Sequence, residues 1–191
     1  VRRALAAGLC ALLVVAPSPA LAEKMALPAD KQVPLLLKIL TYDRQFEQKA
    51  GSEVVIGIVY SAADPDSAPA MESLSSTLNG FAGKTVKKLP IKYWQIPYST
   101  PDRLEAIVKE KGINVLYVCP GNDRNLAAIV KLAQGGRITT LTGIPDYVKK
   151  GVAVGVGERS GKPQIFINLD ASKAEGSDFD ASLLRIAEVV R

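Results

Sequence analysis

Apolar positions come in two rhythms along this chain. Leu35, Ile39, Tyr42 and Phe46 recur at spacings of four, three and four within "DKQVPLLLKILTYDRQFEQK", which predicts a helix over residues 30–49. Pro34 suits its first turn, and Gly51 ends it. "EVVIGIVYS" (53–61) is apolar throughout and bounded by turn residues, the mark of a strand buried on both faces. A loop, "ADPDSAP", leads to a helix around 70–81. "IKYWQIPY" (91–98) alternates and predicts a second strand. "TPDRLEAIVKEKG" predicts a helix with Thr100 as cap and Pro101 in its first turn. "INVLYVC" is a third buried strand. "NDRNLAAIVKLAQGG" is a helix opened by Asn122 or Asp123, and "RITTLTG" is a fourth strand.

Alternation of strand and helix implies a parallel sheet with helices on both faces. The rhythm then changes. "GVAVGVG" and "PQIFINL", joined by "ERSGK", predict a closely returning strand pair. Helices over about 170–175 and 179–189 close the chain. The expected fold is a single α/β domain with a mostly parallel central sheet, helices on both faces, and a C-terminal strand pair followed by two closing helices. Asp170 or Asn168 is placed to cap the first closing helix, and Ser177 or Asp178 the second. Leu183, Leu184, Ile186, Ala187 and Val190 form a stripe that docks the last helix on the core, with Leu184 a main anchor.

The N-terminal stretch stands apart from this pattern. "VRRALAAGLCALLVVAPSPALAEK" carries two arginines, an apolar run from Ala4 to Ala16, and Ala20-Leu21-Ala22, a small-x-small cleavage signature. It reads as a secretory signal peptide over 1–22, cut after Ala22, with the domain over 23–191. The apolar run is shorter than the ~20 residues of a spanning helix. Loss of Arg2 and Arg3 lowers the formal charge from its full value of +5. The rest is mildly basic, and no nucleic-acid partner is expected.

The chemistry-bearing residues are few. Cys119 is the one cysteine outside the signal segment, so no internal disulfide is expected, and its place after "NVLYV" predicts a buried, inert thiol. The sequence has no histidine, which removes Ser-His-Asp and Cys-His catalysis and histidine metal ligation. "GFAGKT" (80–85) has two residues where a phosphate loop needs four between glycine and Gly-Lys. "GVGERSG" (155–161) runs into a strand rather than the helix a dinucleotide fold requires. "DPDSAPAME" (64–72) has Ala68 and Pro69 where a calcium loop needs a ligand and glycine. No cofactor and no metal are therefore expected, and no catalytic residue is named.

Three features remain open. "CPGNDRN" (119–125) follows a buried strand at the sheet edge where open α/β folds bind ligands. Gly121, Asn122 and Arg124 are its candidate anion or ligand residues. Ile144 and Tyr147, in "LTGIPDYVKKGVAV", are apolar side chains on an irregular segment; they are candidate partner contacts, or else tuck under the sheet. Lys84, Lys87, Lys88 and Lys92, near Tyr93 and Trp94, form a solvated face, with weak attraction to anionic lipid headgroups as the alternative.

"VPLLLKILTYDR", "VVIGIVY", "LTG…GVAVGVG" and above all "PQIFINLDASKAEGSDFDASLLRIAEVV" resemble the YfiR family of exported bacterial proteins, over roughly 31–190. The most specific part is the ending: Ile167-Asn168-Leu169, Ala171, Ala174, Gly176, Ser182 and Leu183-Leu184-Arg185-Ile186-Ala187. The resemblance implies a periplasmic regulator. It would bind the periplasmic domain of a membrane signalling protein, a diguanylate cyclase or similar, and keep it inactive, lowering cyclic di-GMP and biofilm formation. It also implies that the chain can form a homodimer. The family's disulfide-based control does not carry over, because Cys119 is alone, and "YDRQFEQKAG" stands where the family often has a Trp-Pro element. The competing expectation is a periplasmic small-ligand-binding protein.

Overall fold

The computed structural model describes residue 25 and residues 27–190; the expected signal segment lies outside the described residues. Ala29–Leu40 form helix α1, and Phe46–Ala50 form the short α2. The expected single helix over 30–49 is therefore two, because Asp43 leaves the helix and bridges to Phe179. Strand β1, Val54–Tyr60, leads to helix α3, Ser67–Asn79. A tight hairpin follows, β2 (Thr85–Val86) and β3 (Leu89–Pro97). Helix α4, Pro101–Lys111, begins at Thr100, whose hydroxyl accepts from the N–H of Arg103. Then come β4 (Val115–Val118), α5 (Leu126–Gly136), β5 (Thr139–Thr142) and a short helix α6 (Pro145–Lys149).

The predicted strand pair is the antiparallel hairpin of β6 (Val154–Arg159) and β7 (Lys162–Asn168). Helix α7, Leu169–Ala174, is capped by Asn168, whose side chain accepts from the N–H of Ala171. The second closing helix differs from expectation. Only Ala181–Leu184 are helical (α8), capped by Asp180 rather than Ser177 or Asp178. The chain then becomes β8, Glu188–Val190, parallel to β7. Leu183 is the buried anchor, Leu184 is half-buried, and Ile186 is 66% exposed.

The eight strands lie in the order β2-β3-β1-β4-β5-β6-β7-β8, with β3, β1, β4, β5 and β6 mutually parallel. The two faces explain the all-apolar runs. Val54, Ile56, Ile58, Val115 and Tyr117 point into the core under α1 and α3. Val55, Val59, Leu116 and Val118 point into a second core under α4 and α5. Strands covered on both sides need apolar residues at both parities. No described helix is long and apolar enough to cross a membrane.

Candidate functional site

The chain passes from β1 through α3 to one side of the sheet, and returns through α4 to place β4 on the other side of β1. Winding reverses there, so the loops after β1 and β4 face each other at the carboxyl edge, where open α/β sheets most often hold ligands. The 119–125 loop occupies that position.

Its hydrogen bonding is directed inward. Asn122 is fully buried. Its side-chain amide donates to the carbonyls of Cys119, at 3.1 Å, and Val59, at 3.4 Å, and its Oδ1 accepts from Asn125. Its backbone N–H donates to the Tyr147 hydroxyl at 3.1 Å. That hydroxyl donates in turn to Asp123 at 2.7 Å, and Lys150 reaches the other oxygen of Asp123 at 3.0 Å. Partial burial opposes ionisation of Asp123, but Tyr147 and Lys150 outweigh it and hold the carboxyl below its usual range. Gly121 has a φ of +75°, and a Cβ there would fall 2.2 Å from Cγ of Asp64 in the facing loop. Of the candidate residues, Gly121 and Asn122 thus pack inward, whereas Arg124 is exposed. The Asn122 amide is already satisfied, and a carboxylate stands beside it, which is unfavourable to an anion at that point.

Ile144 and Tyr147 are each 1% exposed. The segment expected to be irregular turns through α6, and both side chains enter the core under α4 and α5. Neither offers free surface to a partner. Instead Tyr147 ties α6 to the 119–125 loop. Cys119 is buried, and burial pushes its thiol well above the ordinary value, as suits an inert packing residue.

Sequence reasoning missed a buried polar cluster at the opposite, amino edge of the parallel strands. Asp43 accepts from the N–H groups of Gln45 and Asp178, both at 2.9 Å. Lys49, almost fully buried, lies 3.5 Å from Asp43 and donates to Thr139 at 2.7 Å and Ser177 at 2.6 Å. Glu175 accepts from the backbone N–H and the hydroxyl of Thr140, at 2.8 and 2.6 Å. Burial lowers the Lys49 ammonium from its ordinary pKa, against the pull of Asp43 and Glu175. Burial raises Glu175 to about 7. Arg44 adds exposed bridges to Asp178 and Asp180. The cluster fastens the C-terminal segment to the α1–α2 connection and to β5. Its one sequence signal is polar side chains at Asp43, Lys49, Glu175 and Ser177 close to apolar runs. Their pairing across more than a hundred residues leaves no local trace.

Among the described residues, no group of three or more metal-ligating side chains could hold a metal ion. A model of the YfiR/HmsC-like family matches residues 31–188. Among curated proteins, none matches the chain. Solved structures share the fold at low identity. The ABC domain in complex with L-Trp from Streptococcus pneumonia is 14% identical with a TM-score of 0.58. A conserved domain protein from Vibrio cholerae O1 biovar El Tor is 15% identical with a TM-score of 0.60. The ligand-free, open structure of CD0873, a substrate-binding protein with adhesive properties from Clostridium difficile, is 18% identical with a TM-score of 0.54. In each case 86% of this chain is covered, and it spans 60% of the matched chain.

Proposed function

The chain belongs to the YfiR/HmsC-like family of periplasmic regulators, and from that premise we propose that it is an exported inhibitor, freed of residues 1–22, that binds the periplasmic domain of a membrane signalling protein. The proposed target is a diguanylate cyclase or a similar enzyme, held inactive while the complex lasts. The observation that carries this reading is the family match, which runs from within α1 to the start of β8 and so takes in nearly all of the described domain.

The local chemistry agrees with a protein that acts through its surface. The groups that could react are engaged in holding the fold: the Cys119 thiol is buried and protonated, Lys49 is enclosed by Asp43, Thr139 and Ser177, and Asp123 is paired with Lys150. A second reading, capture of a small ligand, draws on the fold shared with a domain solved in complex with L-Trp and with a substrate-binding protein. The inward bonding of the 119–125 loop weighs against it.

The test is affinity purification of the tagged protein from detergent-treated membranes of its own host. The regulator reading expects a membrane protein with an outer domain and a cytoplasmic signalling domain to co-elute in stoichiometric amount. A thermal-shift screen with amino acids and small anions separates the alternative. A large upward shift with one compound, and no co-eluting membrane protein, overturns the reading in favour of ligand capture.

A further inference from the structure

Between Glu72 and Asp102 the chain carries Lys84, Lys87, Lys88 and Lys92 and no carboxylate. The fold turns this acid-free stretch into one border of the sheet. β2 reaches only Leu89 and Pro90 of β3, whereas β1 pairs with the run from Ile91 to Pro97. Among the described residues, no strand lies on the outer side of that run. Seven extended residues present about 23 Å of strand, with every second N–H and C=O directed outward.

The border is furnished for recognition. Trp94 is 44% exposed, with the Lys111 ammonium 4.5 Å from its ring centre. Tyr93 is fixed by a 2.8 Å hydrogen bond to Asn79. A depression of about 290 Å³ lies between the end of α3, at Leu78 and Asn79, and the Ile91–Trp94 stretch of β3, large enough to seat a side chain of an added strand.

We propose that the outer edge of β3 is the docking site of an extended, acidic segment of another protein, which joins the sheet as an additional strand. Only a strand complements an open ladder of backbone groups. The sign of the charge selects which strand. Lys84 and Lys88 are exposed on the hairpin that leads into the edge, whereas Lys92, on the edge itself, is paired with Glu53 at 2.6 Å. A second copy pairing through the same run, Ile91–Pro97, brings no carboxylate to meet the hairpin lysines. An anionic lipid surface would neutralise the lysines but leave the ladder unpaired, and among the described residues Trp94 is the sole exposed large apolar side chain on this edge to enter it. Pro90 and Pro97 bracket the site, which confines pairing to the residues between them and sets its register.

This proposal deepens the regulator reading and rests on it for the partner's being a protein. The test uses the full chain in its own host, with the photo-reactive p-benzoylphenylalanine in place of Trp94 in one strain and of Leu132, which lines a groove between α4 and α5, in another. Mass spectrometry then identifies the attached peptide. The expected result is attachment at position 94 to an acidic segment of a membrane protein's outer domain. The double variant Lys84→Glu/Lys88→Glu lowers that yield about tenfold with an unchanged melting temperature. Attachment at 94 to lipid, to a second copy or to nothing overturns the proposal. If position 132 alone captures a signalling protein, the edge proposal falls and the regulator reading stands. Capture at neither position, from a folded protein, removes both.

Discussion

Raising the pH from 5 to 8 weakens this fold through one side chain, Glu175. The carboxyl is fully buried and bonded to both donors of Thr140. Burial lifts its pKa from 4.5 to about 7, although Thr140 and Lys49 favour the ionised form. In the unfolded chain the group is ionised above 4.5, so between 4.5 and 7 the native state holds more of the proton. Stability is then greatest below the unfolded pKa and is lost as the pH rises through the folded one. A difference of about 2.5 pH units corresponds to about 3 kcal/mol at 1.36 kcal/mol per unit. For a chain of this size that is a fall of about 10 °C in melting temperature. The sequence has no histidine, so few other side chains titrate in this window. The assay is thermal and urea unfolding, followed by circular dichroism at pH 5, 6, 7 and 8 and constant ionic strength, for the wild type and for Glu175→Gln. Gln copies the neutral carboxyl, so its curve is nearly flat, and the difference between the curves reports the Glu175 carboxyl and what its charge does to its neighbours. A wild-type curve that is flat or rising, or a Gln variant with the same slope, refutes the reasoning.

Leu183→Ala removes a side chain that is 1% exposed and costs about 2–5 kcal/mol in urea unfolding, whereas Ile186→Ala, at 66% exposure, stays within about 0.5 kcal/mol. Asp43→Ala leaves the buried Lys49 ammonium without its carboxylate and frees the N–H groups of Gln45 and Asp178, a loss of about 3–5 kcal/mol by the same measurement. Lys87 and Lys88 turn the β2–β3 hairpin at φ of +49° and +69°, a conformation that suits glycine, so Lys88→Gly raises stability by about 1 kcal/mol, seen as a higher melting temperature.

What could be read in the sequence was whatever local chemistry decides. β1 and β4 are all-apolar because both of their faces are covered. α4 is announced at its start by Thr100 and Pro101 and at its end by Gly112. The 119–125 loop was placed correctly at the carboxyl edge, and the family signature of the ending was legible before the fold was. The failures are all imposed from a distance. The 30–49 helix breaks at Asp43 because Phe179 bridges to its backbone and the N–H of Asp178 donates to its carboxylate, both from the far end of the chain. The spacing of Leu183, Leu184, Ile186, Ala187 and Val190 fits a helix, but β7 offers the last three residues before Arg191 an open edge and they pair with it. For Ile144 and Tyr147 the sequence left partner contact and packing under the sheet both open, because nothing local shows that α6 folds them inward. The lysine run was visible, but its place on a sheet border follows only from the strand order.

The most direct test of the central claim is the cyclic di-GMP content of cells lacking this gene. An inhibitor of a membrane cyclase predicts a rise on deletion, reversed by the exported protein and not by a version retained in the cytoplasm. An unchanged level in the deletion strain, or equal rescue by the retained version, contradicts it.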